Sequence, residues 1–356
     1  MRVGANVVTL EEVGGWAAVL GALTSRRDIT SVQAGAALAE ILEGSASPAQ
    51  MAAFMVALRM KGETVEEMSG MLATLLAFAE PVPLPAGLDV VDTCGTGGDR
   101  SHTINVSTIA AFIVAGADAP VCKHGNRAAS SACGSADVLE ALGVAIDIGP
   151  DGVARCVQEA GMGFCFAPRF HSALRHVGPT RRELGVPTVF NFLGPMANPA
   201  RARRQVLGVS DPNMAEKVVG VLEANGTERA LVVYGHDGLD ELTLTTTSTV
   251  LELRDGGVRT YVVDPVELGL QPVDGAALRG DDAATNADLA RRVLDGQRGP
   301  HREFALLNAA AGIVAAGRAE DLVDGLAAAT AAVDDGRAAE VLVRLAEVSQ
   351  REAARA

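Results

Sequence analysis

The sequence predicts an α/β protein in which a small all-helical domain is hinged to a larger α/β domain with a mostly parallel central sheet. Three observations carry this. Residues 1–81 hold only helical apolar spacing, the stretch PVPLPAG at 81–87 interrupts it, and the remainder alternates short apolar runs with helical stretches, as βαβ units do. At 356 residues the chain exceeds the roughly 250–300 at which a single core stops growing efficiently, so two domains are expected.

In the N-terminal part QAGAALAEIL and AQMAAFMVALRM place apolar residues at helical intervals. TVEEMSGMLATLLAF adds a capping box, Thr64 with Glu67, and puts Met68, Met71, Leu72, Leu75 and Leu76 on one stripe suited to helix packing. The prolines of PVPLPAG cannot continue a helix, because they lack an amide hydrogen and restrict the preceding residue. A hinge is expected there. Strands are then predicted at LDVVD, PVCK, VAIDI, GFCFA, QVLGVS, RALVVYG, STVLELR and VRTYVVD, with helices STIAAFIVAGA, SADVLEALG and GVARCVQEAG between the early ones.

Between Phe170 and Val189 the strand signal lapses. HSALRHVGPTRRELG reads as helical and TVFNFLGPMANP as irregular, so about 170–191 is expected to return to the small domain, leaving 82–169 and 192–356 as the large one. The alanine-rich C-terminal third reads as helices covering the sheet, with no fixed repeat.

Composition excludes several classes. A formal charge of −14 disfavours a long nucleic-acid footprint, and no apolar run approaches the roughly 18–20 residues of a membrane span. Cys94, Cys122, Cys133, Cys156 and Cys165 are odd in number and form no C-x-x-C pair, against a disulfide framework or a structural zinc site. With no secretory signal pattern at the N-terminus, a cytoplasmic location is expected.

The chemistry is expected at polar loops following strands. In DTCGTGGDRSHTINVST, Gly95, Gly97 and Gly98 let several amide hydrogens face one anion, and a helix starting near Ser107 adds a helix N-terminus with Asn105 and Thr108 beside it. The loop matches neither a dinucleotide fingerprint nor a Walker loop, and a plain turn with ordinary capping by Ser107 remains the alternative. KHGNRAASSACGSAD, after the strand PVCK, gathers Lys123, His124 and Arg127 with Asn126, Ser130, Ser131 and Ser135; its alternative is an exposed loop. Asp240 and Glu241 follow RALVVYG and suit Mg²⁺ beside a phosphorylated ligand, or are simply an acidic turn. Arg181 and Arg182 can fork onto a carboxylate, or be solvated.

Taken in order, GTGGD, INVST, KHGNRAASS, GSADVLEALG, RRELG, TVFN, LGP, DELT and LLNAAAG span about Asp92 to Gly312, and the chain resembles the anthranilate phosphoribosyltransferase family. The resemblance implies transfer of a phosphoribosyl group from 5-phosphoribosyl-1-pyrophosphate (PRPP) to anthranilate with Mg²⁺, on the nucleoside phosphorylase/phosphoribosyltransferase fold with a helical N-terminal domain. It implies PRPP at Gly95, Thr96, Gly97, Gly98, Asp99, Thr103, Asn105, Ser107, Thr108, Lys123 and Ser135, anthranilate at Gly95, His124, Asn126 and Arg181, and metal at Ser107, Asp240 and Glu241. No general base is implied: Lys123 and the metal stabilise the transition state. A homodimer through the small domain is implied as well.

The chain departs from the family pattern at Arg100 and His102, at GPMANP, and at HSA in place of HPA. A pyrimidine nucleoside phosphorylase would share the architecture, but KHGNRAASS is not that family's loop. A non-catalytic ligand-binding or nucleic-acid-binding relative is disfavoured by the acidity and by the intact Asp240–Glu241 pair.

Overall fold

Four helices open the chain: α1 (Gly15–Thr24), α2 (Ser31–Glu43), α3 (Pro48–Lys61) and α4 (Val65–Phe78). The computed structural model describes residues 8–99, 101–128 and 133–355. Arg100, Ser130 and Ser131 lie outside them. Capping boxes start α2 at Thr30, α3 at Ser47 and α4 at Thr64; in the last, the Glu67 amide donates to Thr64 Oγ1 at 3.2 Å and the Thr64 amide to Glu67 Oε2 at 2.9 Å, as the sequence predicted. Met68, Met71, Leu72 and Leu75 are buried on the predicted stripe.

Helix α2 crosses α4 closely because Gly70 presents only hydrogen to the Ser31 main chain, which a methyl group would strike.

The chain then runs through β1 (Val91–Gly95), α5 (Val106–Gly116), β2 (Val121–Gly125), α6 (Ser135–Ala141), α7 (Pro150–Ala160), β3 (Met162–Phe166), then short helices α8 (Ala167–Phe170), α9 (Gly178–Leu184) and α10 (Phe190–Met196). It continues with β4 (Arg204–Gly208), α11 (Pro212–Ala224), β5 (Arg229–Gly235), β6 (Ser248–Arg254) and β7 (Gly257–Val263), and closes with α12 (Ala283–Leu294), α13 (Pro300–Ala315), α14 (Leu322–Asp334) and α15 (Arg337–Ala353). The strands form one seven-stranded sheet in the order β3-β2-β1-β4-β5-β6-β7, parallel from β3 to β5 and antiparallel beyond. No described helix is long and apolar enough to cross a membrane.

Alternation along the strands feeds two cores, since successive side chains point to opposite faces. Val206, Leu231 and Val233 join the cluster under α5 and α13, whereas Leu207, Ala230 and Val232 join a second cluster shared with α1–α4, α10 and α11. Val177, Val189, Phe190 and Phe192 also sit in the second cluster, beside the helical bundle, while Phe170 sits in the first.

Two predicted elements differ. VAIDI forms no strand: Val144, Ile146 and Ile148 do bury on alternate positions, but against helices, with the Ala145 amide donating to Ser349 Oγ at 3.0 Å instead of to a neighbouring strand. TVFNFLGPMANP is not irregular, since it holds α10, whose last turn accommodates Pro195. Phe190, Phe192, Leu193 and Met196 bury in the second core and hold this helix despite its glycine and proline.

These contacts give a stability prediction. Gly70→Ala should destabilise the chain by about 1–3 kcal/mol through overpacking, whereas Gly21→Ala, at an exposed position of α1 with open space around it, should stabilise by about 0.5–1 kcal/mol. Denaturant unfolding of the two variants checks the contrast.

Candidate active site

Strand order reverses beside β1: the chain runs β1, β2, β3 outward in one direction and returns at β4 on the other side. Ligands of open α/β sheets bind at such a switch point, beyond the carboxyl ends of the strands. Here β1, β2, β4 and β5 all end in glycine: Gly95, Gly125, Gly208 and Gly235. The loops beyond them fold back over the sheet edge so tightly that no side chain fits. A methyl group on Gly95 would meet the Asp240 carboxylate, one on Gly208 the Asp240 carbonyl, and one on Gly125 the Ser135 hydroxyl.

The loop after β1 is held at its base by Ser210, which follows β4. The Ser210 amide donates to Thr96 Oγ1 at 3.0 Å and its hydroxyl to the Gly97 carbonyl at 2.9 Å, while the Thr96 amide donates to the Gly208 carbonyl at 2.9 Å. Gly97 and Gly98 adopt left-handed conformations and are exposed. Ser101 donates its hydroxyl to Asp99 at 2.7 Å, and Thr103 bridges to Arg279.

Asn105 ties this loop to the next one: its amide donates to the Cys133 carbonyl at 3.1 Å, and its oxygen accepts from Asn286 at 3.0 Å. Ser135, at the start of α6, donates to the Asn126 carbonyl at 3.3 Å. The two predicted loops therefore converge.

Asp99, Asp240 and Glu241 offer carboxylate oxygens that all lie within 4.8 Å of one another. The Gly97 amide donates to Asp240 at 2.6 Å, but Glu241 Oε2 is buried with no partner. Burial and the facing Asp99 push the Asp240 carboxyl up to about 7, and burial followed by Asp240 pushes Glu241 well above the carboxylate range. An all-oxygen cluster with an orphaned buried acceptor fits a hard divalent cation, which would reverse both upward shifts.

Asp92, Cys94 and His124 are also close enough to bind a metal, but they already satisfy one another and their neighbours. His124 Nδ1 meets Asp92 at 2.5 Å and Nε2 meets the Gly194 carbonyl at 2.9 Å. Both partners only accept, so the ring must donate from both nitrogens and is an imidazolium. Burial opposes that charge, but the attraction of Asp92 and its hydrogen bond raise the His124 pKa above its ordinary value. Gln205 donates to Asp92 at 3.2 Å and to the Pro195 carbonyl at 2.7 Å. Strands β1, β2 and β4 thus grip the last turn of α10.

Lys123, buried beneath the first loop, donates to the Thr93 carbonyl and to Ser107 Oγ at 3.3 Å. Burial lowers its pKa, and Asp92 partly offsets this. Ser107, Asp240 and Glu241 border one small cavity of about 10 Å³. Thr108 is buried, with Oγ1 unpartnered. Asn105 caps α5 by position without a side-chain bond, and Ser107 lies inside the helix, so capping by Ser107 is excluded.

Arg181 lies near the start of α10. Its guanidinium donates to Asn191 Oδ1 at 3.3 Å and lies over Phe190, 5.5 Å from the ring centre, and burial lowers its pKa. Arg182 is exposed. Arg127 does not supply free positive charge to the second loop as its sequence position suggested, because Asp137 at 2.9 Å and Glu140 at 2.5 Å neutralise it. Asn126 is exposed next to it. Sequence reasoning missed Ser210, Asp92 and Gln205. It also gave Asp99 a place on the glycine-rich loop but not in the acid cluster, because Asp240 and Glu241 lie far away in the chain.

Comparison with known proteins follows the same architecture. Residues 9–79 match the model of the glycosyl transferase family, helical bundle domain, and residues 87–339 that of the glycosyl transferase family, a/b domain. The anthranilate phosphoribosyltransferase of Acidothermus cellulolyticus is 56% identical over 341 residues, covering 94% of this chain and 95% of that protein. That of Chloroflexus aggregans is 52% identical, covering 94% and 98%. Among solved structures, the enzyme from Thermus thermophilus superposes with a TM-score of 0.88 at 39% identity, covering 93% of this chain and 99% of that one. The enzyme from Saccharomyces cerevisiae in complex with PRPP and Mg gives 0.86 at 25% identity, covering 94% and 98%.

A pH prediction follows from His171, which donates Nε2–H to the Ala197 carbonyl at 2.8 Å. Burial and the nearby His124 charge lower its pKa to about 4. The folded chain keeps it neutral while the unfolded chain protonates it near 6.5, so its contribution is fully present above pH 6.5 and is lost as pH falls towards 4. At 1.36 kcal/mol per unit, that shift corresponds to roughly 3 kcal/mol. Unfolding of His171→Gln and of the unaltered chain across this window should give a visibly flatter slope for the variant.

Proposed function

The chain belongs to the anthranilate phosphoribosyltransferases of the glycosyl transferase family, and from that premise we propose that it transfers the 5-phosphoribosyl group of PRPP to the amine of anthranilate, releasing pyrophosphate. The observation that carries this reading is the acid cluster of Asp99, Asp240 and Glu241 facing a glycine-rich loop at the switch point, with one buried carboxylate oxygen unpartnered.

Reaction breaks the bond from the anomeric carbon to the diphosphate oxygen and forms one to the anthranilate nitrogen, which then gives up a proton. The sugar passes through an oxocarbenium-like state while negative charge gathers on the diphosphate, so preorganised electrostatics dominates. The backbone of Gly95, Thr96, Gly97 and Gly98, with Asp99, Thr103, Asn105, Ser107, Thr108 and Ser135, is assigned to PRPP. Lys123 adds buried positive charge behind Ser107.

Ser107, Asp240 and Glu241, joined by Asp99, would hold Mg²⁺, which supplies charge neutralisation for the departing diphosphate. Gly95, His124, Asn126 and Arg181 are assigned to anthranilate. Arg181 meets its carboxylate, and the imidazolium of His124 keeps α10 seated. The aromatic amine is already a nucleophile, so positioning and exclusion of water replace a strong general base.

The same reading divides the chain into a helical unit of residues 1–81, with about 170–191 returning to it, and an α/β unit of 82–169 and 192–356. Closure about PVPLPAG would bring Arg181 towards the loops. Val177 and Val189 share an apolar cluster with α1–α4, which supports placing their segment beside the helical unit, and Leu207, Ala230 and Val232 of the sheet pack into the same cluster. We further place the protein in the cytoplasm as a homodimer through its small domain.

Anthranilate fluorescence should fall on adding PRPP and Mg²⁺ to the protein; a stable signal from folded protein, beside a working control enzyme, overturns the proposal. Arg181→Ala should raise the anthranilate concentration at half-maximal rate by roughly 10–100-fold, the worth of a charged hydrogen bond, with a smaller change in kcat. Glu241→Gln should raise the Mg²⁺ concentration required for turnover. Steady-state titration of each substrate and of the metal checks both.

A further inference from the structure

We propose that Asn308 is a positioning residue for the metal-binding acid pair, an inference that rests on the reading of Asp240 and Glu241 given above. Asn308 lies in the otherwise apolar run of α13, 5% exposed, in the sequence LLNAAAG. A buried amide is costly there unless its donors and acceptor are used. All are: Oδ1 accepts from the Leu242 amide at 3.1 Å, and Nδ2 donates to the Leu242 carbonyl at 2.9 Å and to the Phe304 carbonyl at 3.0 Å.

The side chain therefore pairs with the main chain of Leu242 as a neighbouring strand would, and Leu242 immediately follows Glu241. The rest of this turn is braced by its own side chains. Asp237 accepts from the hydroxyls of Thr243, at 2.7 Å, and Thr245, and the Thr243 amide donates to Ser248 Oγ at 2.9 Å. Those bonds fix the turn's shape, whereas Asn308 fixes its position against the helix layer. Helix α13 also packs on α5, which carries Ser107, and Asn308 borders the same small cavity as Ser107, Asp240 and Glu241. The amide thus sets the distance between the acid pair and the other assigned ligand. Groups that orient ligands in this way are commonly worth about 10–100-fold in metal affinity.

The test uses the full chain as Asn308→Leu, which keeps the branched outline but bonds to nothing, and Asn308→Ser, which keeps one hydrogen-bonding group. Mn²⁺ binding in the presence of inorganic pyrophosphate, read by electron paramagnetic resonance, should weaken about tenfold or more in the leucine variant and less in the serine one. The Mg²⁺ requirement of turnover should follow, while the KM for anthranilate stays within about twofold, a split that general loosening would not produce. Folded variants with unaltered metal dependence, or with equal losses for metal and anthranilate, overturn the proposal. Amide exchange in the unaltered chain decides independently of variants: Leu242 should exchange only on global opening, and fast exchange overturns the assignment. Failure of the unaltered protein to bind Mn²⁺ at all would instead sink the functional reading on which this rests.

Discussion

The acid turn lies directly on the ends of β1 and β4, and that close approach is the constraint on which the site depends. Gly95 and Gly208 leave no room for a side chain beneath Asp240. Because the turn can descend this far, the Asp240 carboxylate reaches the Gly97 amide, and Glu241 comes within reach of Asp99. A larger residue at either strand end would lift the acids away from the glycine-rich loop and separate the group proposed to hold the cation from the loop proposed to hold the anion. The parallel strands bring these ends level, with Gly95 registered against Gly208.

Charge is distributed in layers. The chain is strongly acidic overall, yet the layer under the first loop contains Lys123 and the His124 imidazolium around Asp92, all almost wholly buried. Buried charges persist only when paired and hydrogen-bonded. Asp92 illustrates this: burial alone would raise its pKa, but the adjacent imidazolium, the His124 bond and Lys123 hold it below the usual range. The same network grips the carbonyls of Gly194 and Pro195, so it also anchors the segment that carries Asn191, the partner of Arg181. Electrostatics and the attachment of α10 are here one feature.

How much of this was legible in the sequence depended on range. The Thr64 capping box, the glycine-rich loop and the adjacent acids could be read, because each is a local pattern with a local physical consequence. VAIDI misled because alternation specifies which side chains bury without specifying whether a strand or a helix covers them. Helix α10 was hidden by its glycine and proline, whose local cost is outweighed by four buried apolar side chains. Arg127 looked available because its partners Asp137 and Glu140 are brought to it by α6. Ser210, Gln205 and Asn308 act on groups far away in the chain, so nothing beside them in the sequence announces the contact.

Crystals of the protein soaked with Mn²⁺ and pyrophosphate, with anomalous scattering used to locate the ion, test the central claim most directly. The account predicts a peak within about 2.5 Å of carboxylate oxygens of Asp240 or Glu241, on the side facing the Gly95–Asp99 loop. A peak elsewhere, or pyrophosphate bound away from that loop with the acid cluster empty, would contradict it.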